Sequence, residues 1–196
     1  AKANGILTIA DEVMTGFGKT GKIFASEYMS CQPDIICLSK SLTAGVAPMA
    51  LTCCTHAVFE GFFDEQIIKG FFHGHTYSAN PLACTAAIAG IDLLQTKGIQ
   101  DGISRINRRH SEFEAHIGAH PKVNSTRVLG VIFALDLKTK TDRYGTLRDQ
   151  LYQFFMENGV FLRPLGNTIY ILPPFVISDA ELDKIYEVIE RSLELV

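Results

Sequence analysis

The chain has 196 residues, of which 47% are hydrophobic and 20% are charged, so wholesale disorder and low-complexity or collagen-like sequence are excluded. The 18 Lys and Arg residues stand against 21 Asp and Glu, giving a net charge of −3. Because no basic field is available for nucleic acid or an anionic membrane, we expect small-molecule partners.

The cysteines and the N-terminal sequence predict a cytoplasmic protein. Five cysteines are an odd number, and they do not form the paired C-x-x-C motifs of a metal site. Free thiols are typical of a reducing compartment. The opening residues, AKANGILTIADEV, carry neither the basic start nor the cleavage site of a signal peptide. The strand-like run so near the first residue, with no initial Met, indicates a piece of a longer chain.

Three short apolar runs predict strands in the first part of the chain. Residues 6–13 (ILTIADEV) have the composition of a strand buried on both faces and end in two carboxylates. Residues 34–39 (DIICLS) end at Lys40, and residues 49–54 (MALTCC) follow. In open α/β sheets, ligands bind beyond the carboxyl ends of the strands. We therefore expect Asp11 and Lys40 at one edge of the sheet.

Two helices are predicted after a polar loop at residues 71–80 (FFHGHTYSAN). Asn80 followed by Pro81 is typical of a helix start, and Gly98 predicts an end near Lys97. Apolar residues then recur every three or four positions over residues 99–117, which predicts a second helix. We expect one domain over residues 1–98, and a linking helix with a small α+β domain over 99–196.

The remaining pattern predicts alternating strands and helices. The predicted elements are a strand at 127–137, a polar loop, a helix at 146–158, strands at 160–163 and 168–172, and a last helix. Ser178 and Glu181 form the S-x-x-E signature of a capping box at the start of that helix.

An acid, a lysine and a hydroxyl-rich loop together predict a cofactor site. A carboxylate such as Asp11 can pair with a cationic heterocycle, Lys40 can become nucleophilic, and Thr76 with Ser78 can bind phosphate. These are the groups that a pyridoxal phosphate enzyme requires. Taken singly, each also fits a simpler role as a strand-end cap, a solvated lysine or a helix-entry hydroxyl.

Three motifs resemble the cofactor-binding half of the class III aminotransferases. They are IADEVMTGFGKTG, PDIICLSKSLTAGVAPMA and GHTYSANPLACTAA, in that order. The resemblance implies an α/β chain of the pyridoxal-phosphate-dependent transferase fold type I, with a mostly parallel sheet and a small C-terminal α+β domain. It also implies pyridoxal 5'-phosphate as cofactor and a homodimer with shared active sites.

The resemblance assigns cofactor roles to three residues. Asp11 matches the aspartate that pairs with the pyridine nitrogen, and Lys40 matches the lysine that bonds covalently to the cofactor and shuttles a proton. Thr76 matches the threonine that reaches the cofactor phosphate of the neighbouring subunit. The family's phosphate-binding turn and ring-stacking aromatic belong to its first half, so we do not expect this chain alone to complete a site. Ser41 stands where glycine is common in the family.

The segment FLRPLGNTIYILPPFVIS resembles the substrate-carboxylate region of the subfamily that acts in biotin biosynthesis. This resemblance implies that 8-amino-7-oxononanoate is aminated to 7,8-diaminononanoate with S-adenosylmethionine as donor. Lys40, Gly74, Arg163 and Tyr170 are the implied substrate-binding residues, with Arg163 and Tyr170 on two strands of a hairpin. The alternatives are an ω-aminotransferase of ornithine, acetylornithine, 4-aminobutyrate or β-alanine, or a non-catalytic, dimer-forming remnant.

Two histidines and two cysteines are further candidates for functional residues. His73 and His75 are separated by one glycine, but no third ligand has suitable spacing, so we expect no metal site. Cys53 and Cys54 end a predicted strand and are interpreted as buried packing.

A basic cluster follows on the second predicted helix. Arg105, Arg108 and Arg109 are accompanied by nearby glutamates, which favours a solvated helix face over an anion site. His110 lies on the apolar stripe, and we expect it to be partly buried there and not a ligand.

Overall fold

A computed structural model of the chain describes residues 1–139 and 145–196. The predicted polar loop before residue 146 therefore lies partly outside the described residues. The chain divides into two compact units, Ala1–Thr96 and Lys97–Val196.

The first unit contains a three-stranded sheet. Strands β1 (Ile9–Asp11), β2 (Ile35–Leu38) and β3 (Leu51–Cys54) lie in that order. Strands β1 and β2 are parallel, and β3 runs antiparallel to β2. The three predicted strands are thus confirmed, and each is shorter than its apolar run.

The outer strands of this sheet are more exposed than predicted. Ile9 on β1 is exposed, and so is every residue of β3, including Cys53 and Cys54. The expectation of burial on both faces for residues 6–13, and of buried packing for the two cysteines, is therefore wrong for this chain. The faces of a strand are buried only by elements packed over the sheet, and among the described residues no helix packs extensively on β1 or β3.

The helices of the first unit are α1 (His56–Glu60) and α2 (Pro81–Leu94). The predicted start of α2 is confirmed, since the Ala83 N–H donates to Asn80 Oδ1 at 2.9 Å and Pro81 is the first helical residue. The predicted end is wrong by three residues. The Thr96 hydroxyl donates to the Leu93 carbonyl and helps to close α2, so Gly98 lies in the first turn of the next helix.

Helix α2 packs against the 3₁₀ turn Lys40–Thr43. A Cβ at Gly90 would lie 3.1 Å from the Leu42 carbonyl oxygen, so this contact requires glycine or a shift of the turn. Ala83 and Ala87, on the same helix, are buried. Small side chains thus allow the helix to approach the turn closely.

The second unit contains helices α3 (Lys97–Ile117), α4 (Thr146–Glu157) and α5 (Asp179–Ser192), and strands β4 (Val123–Leu129), β5 (Ile132–Leu137) and β6 (Thr168–Ile171). The strands form an antiparallel sheet in the order β4-β5-β6. The single strand predicted at 127–137 is wrong, because the chain reverses at Gly130, where φ is +60°. Residues 160–163, predicted as a strand, form none and lead as irregular chain toward β6.

One face of this second sheet forms the core. The largest fully buried side chains of this unit come from the sheet and all three helices; they are Ile106, Ile117, Phe133, Leu135, Leu137, Leu151, Phe155, Ile169, Ile171, Leu182 and Ile189. The predicted stripe on α3 is confirmed. The capping box on α5 is also confirmed, because the Glu181 N–H donates to Ser178 Oγ and the Ser178 N–H donates to Glu181 Oε2. Burial of each apolar side chain of this core stabilises the folded state by about 1.5–3 kcal/mol.

Two of the three clustered arginines connect α3 to α5. Arg105 pairs with Asp179, and Arg109 pairs with Asp183. Their side chains are 27% and 21% exposed, whereas that of Arg108 is 66% exposed. The predicted solvated face is therefore right for Arg108 and wrong for the other two, because α5 presents two aspartates one helical turn apart.

His110 is fully buried between α3, α5 and the β4–β5 turn, deeper than predicted. Its Nε2 lies 3.1 Å from the Val131 carbonyl, and its Nδ1 lies 2.7 Å from the Tyr186 hydroxyl. Because a carbonyl only accepts hydrogen bonds, Nε2 carries the proton and Nδ1 accepts from Tyr186. Burial lowers the pKa of His110 to about 4, so the ring is neutral in the folded chain.

Candidate active site

Asp11 and Lys40 lie at the carboxyl ends of neighbouring parallel strands. Asp11 is the last residue of β1 and is paired in register with Cys37 of β2. Lys40 follows the end of β2 by two residues. The Glu12 N–H donates to the Cys37 carbonyl at 2.9 Å, which extends the pairing past Asp11. Both side chains are exposed at this edge of the sheet, which is where ligands bind in α/β sheets.

Lys40 has a strained backbone. Its φ is +46°, in the left-handed region, which costs a residue with a Cβ about 1–2 kcal/mol. Hydrogen bonds on both sides hold this conformation: Ser39 Oγ donates to the Met49 carbonyl at 2.7 Å, and Thr43 Oγ1 donates to the Ala47 carbonyl at 2.5 Å. Strain that neighbouring bonds maintain is characteristic of functional sites. The Lys40 amine is thus carried on a fixed turn.

The two carboxylates that end the first run have different environments. Asp11 is exposed, and its Oδ1 accepts from the Val13 N–H at 3.0 Å. Glu12 is only 2% exposed, and it accepts hydrogen bonds from Thr15, Ala25 and Ser26. Burial alone would raise the pKa of Glu12, but these hydrogen bonds outweigh it and hold the pKa below its ordinary value. Asp11 is therefore the carboxylate that can contact a ligand, whereas Glu12 is buried and hydrogen-bonded within the chain.

The loop with Thr76 and Gly74 is confirmed as irregular chain leading into α2. Thr76 is exposed in a turn where the Ser78 N–H donates to the His75 carbonyl at 2.9 Å. A Cβ at Gly74 would meet nothing within 4 Å, so packing within this chain does not require glycine there. Among the described residues, no group of three metal-ligating side chains forms around His75 or elsewhere.

Arg163 and Tyr170 flank a tight turn in the second unit. Leu165 and Thr168 exchange backbone hydrogen bonds of 2.9 and 3.0 Å across Gly166, whose φ is +62°. Tyr170 lies on β6, opposite Ala134 of β5. Arg163 lies in irregular chain with its guanidinium 5.8 Å from the Phe161 ring. The predicted turn is confirmed, but the predicted pair of strands is wrong, since only Tyr170 is in a strand.

This α/β chain, with Lys40 and Asp11 at one edge of its sheet, has the fold of the pyridoxal-phosphate-dependent transferases of fold type I, which solved transaminase structures share with it. A family model for class III aminotransferases matches residues 1–193. The chain belongs to the class III aminotransferase family. No helix among the described residues is long and apolar enough to cross a membrane.

Two relatives that are similar over nearly the whole of this chain share one name. An adenosylmethionine-8-amino-7-oxononanoate aminotransferase of Synechococcus elongatus is 43% identical, covering 98% of this chain and 45% of its own length. The enzyme of that name from Buchnera aphidicola is 38% identical over 96% of this chain and 42% of its own length. The chain thus spans less than half the length of these relatives.

Solved structures give the same fold. The ω-transaminase of Pseudomonas jessenii in complex with PMP has a TM-score of 0.88 at 29% identity, covering 98% of this chain and 44% of that one. The ω-transferase of Vibrio fluvialis JS17 has a TM-score of 0.84 at 29% identity, with 98% and 47% covered.

The residues present fit the cofactor of this family, pyridoxal phosphate. Lys40 offers an exposed amine on a fixed turn. Within the described chain, the hydrogen bond from the Val13 N–H occupies Asp11 Oδ1, so Oδ2 can meet a cationic ring nitrogen. The sequence pattern predicted a role for both residues and none for Glu12, whose signal was a second acid directly after Asp11.

Proposed function

We propose that the full-length protein carrying this chain is a pyridoxal-phosphate-dependent aminotransferase that converts 8-amino-7-oxononanoate to 7,8-diaminononanoate. S-adenosylmethionine is the proposed amino donor. The observation that carries the proposal is the placement of Lys40 and Asp11 at the carboxyl ends of two parallel strands. Relatives named for this reaction, at 32–43% identity, support the choice of substrates.

Lys40 and Asp11 perform the proton chemistry in this proposal. Bound pyridoxal phosphate supplies an electron-withdrawing ring that eases removal of a proton from the carbon bearing the amino group. With the cofactor bound, Lys40 Nζ would accept that proton and later return it, acting as general base and then general acid. The Asp11 carboxylate holds a proton on the ring nitrogen, because an opposite charge stabilises the cationic form.

Other residues bind the substrates and the phosphate. Arg163 binds a substrate carboxylate, for which a planar fork of N–H donors is suited. Tyr170 and Gly74 contribute to substrate binding, and Thr76 binds the cofactor phosphate of the partner subunit in a homodimer.

The test uses the full-length protein with 8-amino-7-oxononanoate and S-adenosylmethionine, and mass spectrometry to detect 7,8-diaminononanoate. Wild type forms the product and Lys40→Ala does not. Lys69→Ala, which removes an exposed lysine paired with Asp64, retains activity as the matched control. Borohydride reduction and peptide mapping place the cofactor on Lys40. Absence of product, or a label on Lys19 or Lys22, overturns the proposal.

A second candidate is an ω-aminotransferase of ornithine, acetylornithine, 4-aminobutyrate or β-alanine, which the likeness to the Pseudomonas jessenii and Vibrio fluvialis structures favours. The same assay separates the two functions. Ornithine, 4-aminobutyrate and β-alanine are offered as donors, with pyruvate or 2-oxoglutarate as acceptor. Turnover with these pairs, and none with 8-amino-7-oxononanoate, assigns the second function.

A further inference from the structure

Glu12 is a buried carboxylate that the proposed chemistry does not use. It directly follows Asp11, and 2% of its surface is exposed. Neighbouring residues of an extended chain point to opposite sides, so Asp11 faces the exposed edge while Glu12 is directed inward. A buried carboxylate is costly unless hydrogen bonds satisfy it, and Glu12 has several such partners.

The Glu12 carboxylate closes the loop that follows β1. Its Oε1 accepts from the Ser26 N–H at 2.5 Å, and its Oε2 accepts from the Ala25 N–H at 3.0 Å. The Thr15 hydroxyl donates to Oε2 at 2.5 Å. One side chain therefore joins the beginning and the end of a loop that spans residues 13–26.

The same residue holds the turn that orients Asp11. The Gly16 N–H donates to the Glu12 carbonyl at 2.9 Å, and a Cβ at Gly16 would lie 2.8 Å from that oxygen. Within this turn, the Val13 N–H donates to Asp11 Oδ1 at 3.0 Å. The position of that N–H depends on the path of residues 13–16, which the bond from Thr15 to Glu12 fixes. A chain of contacts thus runs from Glu12 through the turn to the Asp11 carboxylate.

We propose that Glu12 is a positioning residue, which holds turn 13–16 so that Asp11 presents its carboxylate to the cofactor ring nitrogen. This inference rests on the proposed function, because it concerns the orientation of the proposed cofactor partner. Glu12 acts through Asp11 and touches neither cofactor nor substrate.

The experiment measures the affinity of full-length apoprotein for pyridoxal phosphate by equilibrium dialysis, and the absorption spectrum of the bound cofactor. We expect Glu12→Gln to weaken binding by about tenfold, because an amide cannot accept from all of these donors. We also expect it to shift the spectrum in the same direction as Asp11→Asn does. Adding Glu12→Gln to Asp11→Asn should cause no further loss of affinity, because the Asp11 carboxylate that Glu12 positions is already absent.

Two further variants keep the test decisive. Glu27→Gln is the matched control, since Glu27 lies just after this loop, is exposed, and accepts a hydrogen bond from the Phe24 N–H. It should retain wild-type affinity and spectrum. If Glu12→Gln does not fold, Thr15→Val removes one hydroxyl donor to Glu12 with little change of shape, and should weaken binding by about threefold.

The outcomes separate this inference from the proposed function. A wild-type affinity and spectrum in Glu12→Gln and Thr15→Val overturns the positioning role alone. Losses that add fully in the double variant also overturn it, because a purely structural effect is independent of Asp11. Failure of the wild-type protein to bind pyridoxal phosphate overturns the proposed function and this inference together.

Discussion

Acid should destabilise the second unit through His110. The ring is neutral and fully buried, with a pKa lowered from 6.5 to about 4 by burial. In the unfolded chain the same ring takes up a proton near its ordinary pKa, so between these two values the unfolded state binds more protons. The free energy of unfolding must then fall as the pH drops from about 6.5 to about 4. Between pH 7 and pH 5, this one group removes about 2 kcal/mol.

Hydrogen exchange of the β5 amides measures this loss in the second unit specifically, because buried strands exchange only on large-scale opening. His110→Gln cannot take up a proton, so its opening free energy should depend less on pH, by about 2 kcal/mol over the same interval. His116→Gln is the matched control, since His116 lies on the same helix with its side chain 65% exposed. Equal pH dependence in wild type and His110→Gln would refute the reasoning, whatever their stabilities at pH 7.

Further predictions concern the full-length protein and the helix cap. Asp11→Asn should keep the circular dichroism spectrum of the fold and lose at least about a hundredfold in kcat, since an amide does not hold the ring nitrogen protonated; near-normal turnover contradicts this role. Mixed Thr76→Ala and Lys40→Ala subunits should recover activity in hybrid dimers, and no recovery speaks against shared sites. Arg163→Lys should weaken keto-acid binding by about 1.5–3 kcal/mol, measured separately from the donor half-reaction by cofactor absorbance; equal damage to both half-reactions rejects a selective role. Ser178→Ala should lower the opening free energy of the second unit by about 1 kcal/mol, and unchanged hydrogen exchange counts against that cap.

Local signals predicted helices α2 to α5 and their starts, but not the five-residue helix α1. The period of apolar residues on α3 and the capping box on α5 depend on neighbours within one or two turns, so the sequence alone contains them. The strand error at residues 127–137 has a different origin. The apolar pattern continues through Gly130, and only the backbone conformation of that residue reveals a reversal.

The sequence predicted the candidate-site residues that lie at strand ends. It did not predict those whose hydrogen-bond partners are far away along the chain. Asp11 and Lys40 each end an apolar run, so their common edge could be inferred. The inward direction of Glu12 could not, because its partners Ala25 and Ser26 are 13 and 14 residues away. Arg105 likewise meets Asp179 across 74 residues of sequence, a distance over which no spacing rule applies.

Helix α2 restricts where the chain can gain or lose residues. It begins at Asn80, directly after the loop with Thr76, and its Gly90 lies against the turn that starts at Lys40. An α-helix turns by about 100° per residue, so a single insertion between Pro81 and Gly90 would bring a side chain to this contact and force the Lys40 turn to shift. Length variation among related sequences is thus expected in the irregular residues 71–79, and not in the first ten residues of the helix. Loop grafts that alter the Thr76 region can therefore change its length without disturbing the Lys40 turn, provided that Asn80 still begins the helix.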